Sequence, residues 1–257
     1  MFLRLRQLCL VAHDLEPVVE DLKAVFDIEV CHRDPAVAKY GLHNALLPIG
    51  NSFVEIVAPT KDNTAAGRYL DRRKGDGGYM VILDTNELDP WQSHVDAIGV
   101  RVAARLVSNG YRGLQLHPRD TGGALLEINR SDGGADINAA YHPAGPDWHA
   151  HVRTTVAKVI TGAELQSDHP ERLAAKWSEI LGKPARVIDG EYQIDVDNAS
   201  LRFVPATDDR GEGLSGIDLL VTEPTSVRDV ATRRGLAVTD KSVLVGGISF
   251  NLTEAKR

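Results

Sequence analysis

Two cysteines, Cys9 and Cys31, are the whole thiol content of a 257-residue chain. That is too few to staple a fold of this size, so a reducing compartment is expected. No apolar run approaches the ~20 residues a bilayer span requires. The opening Met1-Phe2-Leu3-Arg4-Leu5-Arg6-Gln7 alternates where a signal peptide would stay apolar. A cytoplasmic protein off the membrane is the expectation. Basic residues are outnumbered 29 to 36, for a formal charge of −7. The densest basic run, Arg68 to Lys74, is interrupted by Tyr69, Leu70 and Asp71 and reads as a solvated helix face rather than a phosphate track. Nucleic acid is therefore not an expected partner. A glycine-rich dinucleotide loop is missing too: Gly75-Asp76-Gly77-Gly78 precedes a strand, whereas a phosphate cradle follows one and opens a helix. A small molecule remains as the expected partner.

What the chain has is repetition. Leu3 to Ala12 alternates like a strand, and Asp14 and Pro17 open a helix whose Val18, Val19, Leu22, Val25 and Phe26 form a buried stripe. Strands over Gly41 to Ile49 and Phe53 to Ala58 follow. The order returns with a strand at Tyr79 to Leu83, a helix over Asp89 to Ile98, and strands at Val100 to Val107, Gly113 to His117 and Ala124 to Asn129. Ser131 to Asp147, rich in glycine and proline and without periodicity, reads as a boundary. Beyond it come a strand at Thr155 to Leu165, a helix opened by Asp168 and Pro170 and stopped by Gly182, and strands at Tyr192 to Val196 and Leu201 to Val204. A shorter unit ends the chain: strand Gly216 to Val221, helix Ser226 to Gly235, strand Ile248 to Leu252. Each unit has one apolar face that another must cover. The expected fold is α+β, with four βαβββ-type modules in tandem, paired into two cup-shaped mixed β-sheet domains with helices outside. The expected domains are 1–131 and 150–257, joined by a linker at 132–149, the second cup being a degenerate copy.

Gln7, Cys9 and Val11 share one face of the first strand, since side chains alternate. Glu55 sits inside Phe53-Val54-Glu55-Ile56-Val57 and Glu127 inside Leu125-Leu126-Glu127-Ile128. A lone carboxylate flanked by apolar residues is either solvated or partnered, because unpaired burial is costly. Equivalent places in sister repeats would bring these two together around a pseudo-two-fold axis, where they need a cation or a shared proton.

The stretches Gly41-Leu42-His43-Asn44-Ala45-Leu46-Leu47-Pro48-Ile49-Gly50 and Val54-Glu55-Ile56-Val57-Ala58-Pro59 resemble glyoxalase-like members of the vicinal oxygen chelate superfamily. Leu116-His117-Pro118-Arg119-Asp120-Thr121-Gly122-Gly123-Ala124-Leu125-Leu126-Glu127 is similar to a stretch of methylmalonyl-CoA epimerases, and the likeness covers residues 3 to 130. The resemblance implies a divalent metal (Mg, Mn, Co, Zn or Fe) held between modules, with Gln7, Glu55 and Glu127 as ligands. Met80 falls where the superfamily usually has histidine, and its soft sulfur suits hard ions poorly. His43 and His117 are candidates to fill that gap, and His43, Asn44, Met80, His117 and Arg119 are expected at the substrate. Arg112 is placed near the same rim. In the second cup the corresponding places fall near Thr161, at Leu201 or Arg202, and at Asn251, with no metal set.

Three functions follow from this reading. The first is a metal-assisted isomerase, epimerase or lyase acting next to a carbonyl, with Glu127 and Glu55 as catalytic carboxylates. The alternative is a metal-free protein that sequesters a small molecule, as resistance members of the superfamily do, and Met80 favours it. The third is an extradiol-type dioxygenase, which needs two histidines and a carboxylate on iron. A second copy of the chain could close the exposed sheet edges as a homodimer.

Overall fold

The computed structural model describes residues 1–108 and 110–256. It holds two mixed seven-stranded sheets in an α+β arrangement. The first sheet contains β1 (Leu3–Val11), β2 (Leu42–Ile49), β3 (Ser52–Pro59), β4 (Gly77–Thr85), β5 (Val102–Ser108), β6 (Tyr111–Leu116) and β7 (Leu125–Ser131), in the order β2-β3-β1-β4-β7-β6-β5. The second contains β8 (Ala157–Ser167), β9 (Arg186–Ile188), β10 (Glu191–Val196), β11 (Ala199–Pro205), β12 (Gly213–Val221), β13 (Ser242–Val245) and β14 (Ile248–Glu254), in the order β13-β14-β12-β8-β11-β10-β9. Each sheet has the same internal logic. The opening strands of two modules pair antiparallel at its centre, β1 with β4 and β8 with β12, and each takes the closing strand of its own module as a parallel neighbour.

The helices are α1 (Leu15–Phe26), α2 (Ala65–Arg73), α3 (Asp89–Ala97), α4 (Pro118–Thr121), α5 (Pro170–Leu181) and α6 (Pro224–Arg233). The apolar stripe of α1 is buried as its spacing predicts, and the helix ends on Asp27 in the left-handed region. Asp14 stands at its N-terminus without a side-chain capping bond. In α5, His169 rather than Asp168 takes the N-cap position, and Gly182 closes the helix at φ 60°. The first and fourth modules have two strands after their helix and the middle two have three. The basic run around Arg68 falls on α2, an extra helix between the first two modules.

The two sheets share one core. Leu8 and Leu10, on the side of β1 away from Gln7, join the same apolar cluster as Ile160, Leu165 and Ile217 of the second sheet. Phe26 of α1 packs against Phe250 of β14 with ring centroids 4.9 Å apart, and the Trp177 indole of α5 donates to the Thr121 carbonyl at 2.8 Å. The concave faces are left open on the outer sides. Residues 132–149 fold back on the first sheet: Tyr141, Ala144 and Trp148 are buried, and the rings of Tyr141 and Trp148 each lie 5.1 Å from Phe53. Among the described residues no helix is long and apolar enough to cross a membrane.

Gly78 of β4 marks a close approach of the two sheets, since a Cβ there would stand 2.4 Å from the Leu214 carbonyl oxygen of β12. Backbone cannot yield as a flexible side chain can, so Gly78→Ala should cost about 2 kcal/mol of stability, in the range of core overpacking. Denaturant unfolding should show Trp91 of the first half and Trp177 of the second melting together at a lower midpoint. An unchanged midpoint would contradict the close contact.

Candidate active site

The hollow of the first sheet is a cavity of about 1400 Å³ whose floor includes Gln7, Glu55, Met80, Ile82 and Glu127. Register explains the gathering. Cys9 pairs with Glu55 across β1 and β3, Ile82 pairs with Glu127 across β4 and β7, and Gln7 and Cys9 stand opposite Ile82 and Met80 at the centre. The pseudo-two-fold axis therefore relates Glu55 to Glu127 and Gln7 to Met80.

Both carboxylates are buried, Glu55 at 8% and Glu127 at 2% exposure, and both are held by neutral donors. Gln7 Nε2 donates to Glu55 Oε2 at 2.7 Å, and Asn44 Nδ2 donates to Glu55 Oε1 at 2.6 Å. The Tyr111 hydroxyl donates to Glu127 Oε1, and Gln115 Nε2 donates to Glu127 Oε2 at 2.9 Å. Tyr141, from the returning segment, donates to Gln7 Oε1 at 3.1 Å. Gly113 makes room: a Cβ there would lie 2.9 Å from Glu127 Oε1. Burial raises the Glu55 carboxyl to about 7, with the Glu127 charge adding to the rise and the Asn44, Cys9 and Gln7 hydrogen bonds opposing it. Burial also raises Glu127. Cys9, fully buried beside Glu55, is pushed well up by burial first and by that carboxylate second, which keeps it a thiol and a poor nucleophile.

The structure brings Gln7, Asn44, Glu55, Met80, His117, Arg119 and Glu127 to one cavity. His43 is not among them. Leu42 and Asn44 face the hollow, so strand alternation turns His43 outward to a separate shallow depression beside His13 and Pro59. His117 lines the cavity, but its Nδ1 accepts the Arg119 backbone N–H at 3.2 Å as the cap of α4. Arg112 is spent on Asp89 at 2.8 Å. Tyr111, Gln115 and Tyr141 are site residues the sequence reading missed. The period-2 pattern Tyr111-Gly113-Gln115 beside Glu127 held the signal for two of them.

A divalent cation would find three oxygen-bearing side chains here, Gln7, Glu55 and Glu127, each already in a side-chain hydrogen bond and each carboxylate oxygen with a lone pair to spare. Each oxygen of Glu55 and Glu127 already accepts a side-chain hydrogen bond, and both polar atoms of Gln7 are engaged. A thioether occupies the fourth corner. Among the described residues no three His, Cys, Asp or Glu side chains converge as a metal cluster.

The second hollow answers the same register with a guanidinium. The places equivalent to Gln7 and Met80 are Gly162 and Gly216, and those of Glu55 and Glu127 are Arg202 and Asn251. Arg202 makes a bidentate contact with Asp218 (2.8 and 2.7 Å) and reaches Glu164 at 2.8 Å and Glu191 at 2.7 Å. Asn251 donates to Asp218 at 2.9 Å. A Cβ on Gly162 would stand 2.7 Å from Asp218 Oδ2, and one on Gly216 3.2 Å from Glu164 Oε1. The glycines are thus the space the carboxylates use. Thr161 donates instead to the Asp218 carbonyl.

Paired modules around a hollow with facing carboxylates are the architecture of the vicinal oxygen chelate superfamily. Within it, the glyoxalase-like domain family matches residues 8–181, and the chain belongs to that family. The mitochondrial methylmalonyl-CoA epimerase of Homo sapiens is 21% identical over 131 residues, 50% of this chain and 74% of that protein. A Streptomyces coelicolor methylmalonyl-CoA epimerase variant, solved with 2-nitronate-propionyl-CoA, is 28% identical and covers 51% of this chain and 99% of its own, at a TM-score of 0.46. A hypothetical protein from Staphylococcus aureus matches the fold over 99% of this chain and 100% of its own, at a TM-score of 0.71 and 12% identity.

Two outcomes test this geometry. Because Glu55 is raised from 4.5 to about 7, the folded state binds a proton that the unfolded state has lost between those values. Stability should therefore fall as pH rises from about 4.5 to about 7 and level off above. Equilibrium unfolding across that window should show the slope in the wild type and a shallower one in Glu55→Gln, where Glu127, also raised by burial, keeps its own part. Separately, Arg202→Met should cost about 3 kcal/mol, since it strands carboxylates that are four-fifths buried. The loss should shrink when Glu164→Gln and Asp218→Asn are made in the same chain, and a flat double-mutant cycle would refute the cluster.

Proposed function

We propose that the first hollow catalyses proton transfer at a carbon next to a carbonyl, as an isomerase or epimerase of the glyoxalase-like family. The observation that carries this reading is the pair of buried carboxylates from sister modules, one held close to neutrality by burial. In this reading Glu127 is the base that takes the α-proton, and the C–H electron pair moves toward the carbonyl oxygen. The protonated member, Glu55, returns a proton to the opposite face, and the pair finishes with its protonation reversed. Gln7, Asn44 and Gln115 each spend one amide N–H on a carboxylate, which leaves a second N–H for the developing oxyanion. The names of the epimerase relatives support the reaction class. Were a divalent ion held by Gln7, Glu55 and Glu127, it would polarise the carbonyl; the steps given are those of this chain's own side chains. Lyase and dioxygenase chemistry are not carried further: His117 and His142 line the first hollow, but among the described residues they do not converge with a carboxylate as a metal cluster.

Sequestration is the second reading, favoured by the apolar lining of Val57, Tyr69, Met80 and Ile82. Hydrogen exchange separates the two. In D₂O, NMR should show α-proton wash-out from 2-methyl acyl thioesters. Glu127→Gln and Glu55→Gln should each slow it by about 100-fold or more, the scale of lost general acid–base catalysis. A chain that retains a bound small molecule but exchanges no α-proton would leave sequestration as the function.

A further inference from the structure

The cavity that has acids on its floor has cations at its mouth. Lys39, Arg68, Arg72, Arg105 and Arg119 all line it, and all five are exposed. Among the described residues none of them is ion-paired. Elsewhere several surface arginines are matched, Arg33 with Glu16, Arg101 with Asp120, Arg153 with Glu29 and Arg234 with Asp21, while the exposed Arg172 and Arg233 have no ion-pair partner among the described residues. The mouth therefore concentrates unmatched positive charge in a chain whose total is −7.

Arg68 and Arg72 stand one turn apart on α2, a spacing at which like charges repel and weaken a helix. Arg72 lies over the Tyr69 ring at 5.4 Å, which fixes its stem along the cavity wall. Arg119 approaches from α4 and Lys39 from the segment before β2. The second half of the chain completes this wall. Arg73 Nη1 donates to the carbonyls of Arg210, Gly211 and Glu212 at 2.9, 3.1 and 2.7 Å, which seats that loop against the hollow, where Arg210 and Glu212 join the lining.

We infer that this mouth, with Arg68, Arg72 and Arg119 at its centre, binds a negatively charged group of the substrate that does not react, a phosphate or a carboxylate, while the carbonyl end reaches the floor. This deepens the proton-transfer reading and rests on the same hollow being the binding site. Guanidinium forks suit either anion, and an anion there relieves the repulsion between Arg68 and Arg72. The floor cannot hold the charged end, because Glu55 and Glu127 would repel it.

Calorimetric titration with inorganic pyrophosphate and with succinate tests the inference. Wild type should bind at least one of them, more weakly as NaCl rises, and the tighter of the two tells phosphate from carboxylate. Arg68→Glu with Arg72→Glu, and separately Arg119→Glu, should weaken binding at least tenfold; all three positions are exposed, so folding is not at stake. Glu127→Gln should bind the probe as wild type does while losing α-proton exchange, so failure of the anion site and failure of the catalytic reading are distinguishable. Absence of binding by either probe, or equal binding by wild type and the charge-reversed variants, would overturn the anion site.

Discussion

Everything in the first hollow answers to one constraint: two carboxylates from sister modules are buried together. Stripping water from an ionised carboxylate costs several kcal/mol even after a protein relaxes around it. The chain offsets this with amides and phenols rather than cations. Asn44 from β2, Gln115 and Tyr111 from β6, and Gln7 from β1 each supply a donor. Neutral donors stabilise the charge less than a cation would, so the Glu55 proton stays close to neutrality. The acid–base exchange proposed for this hollow depends on that state.

The second sheet shows what such a cation does. Its register is the same, but Arg202 stands where the first sheet has Glu55, and Glu164 and Asp218 close around it. Its guanidinium is pushed up above the usual arginine range, by its hydrogen bonds to Asp218 first, against the cost of burial. A permanently charged side chain with satisfied partners has no proton to trade, so this hollow is locked where the first is poised. Its contribution to the first is mechanical. Sharing an apolar core, it sets the loop of Arg210 to Glu212 at the cavity's edge.

How much of this the sequence carried depends on the length over which each signal runs. Strands such as β1, β3 and β7 have enough alternating apolar positions to be read, and the repeat order placed Glu55 and Glu127 in equivalent positions. His43 and Asn44 were both assigned to the substrate, although neighbours on a strand face opposite ways; only the pairing of β2 with β3 shows which one turns inward. Strands β9 and β13, of three and four residues, are too short to show a period. Tyr141 lies in a glycine- and proline-rich stretch whose composition says loop, and no local pattern announces that a loop residue will return to a hydrogen bond with Gln7. For the equivalent place in the second sheet the spacing leaves Leu201 or Arg202; strand pairing puts Arg202 there, and its three carboxylate partners come from three other strands.

The arrangement of charge also orients whatever enters. Cations at the mouth and acids on the floor set up a field along the axis of the hollow, and low-dielectric walls strengthen it. Val57, Met80 and Ile82 give the hollow its apolar lining. An amphiphilic molecule meets opposite preferences there: under the proposed anion site its charged end rests by Arg68 and Arg72, and an uncharged end approaches Glu55 and Glu127 without repulsion. A carbonyl with an acidic neighbouring C–H satisfies the floor because it becomes negative only as the proton leaves. At that moment the proton has neutralised one of the two carboxylates, so the negative charge near the floor moves without increasing.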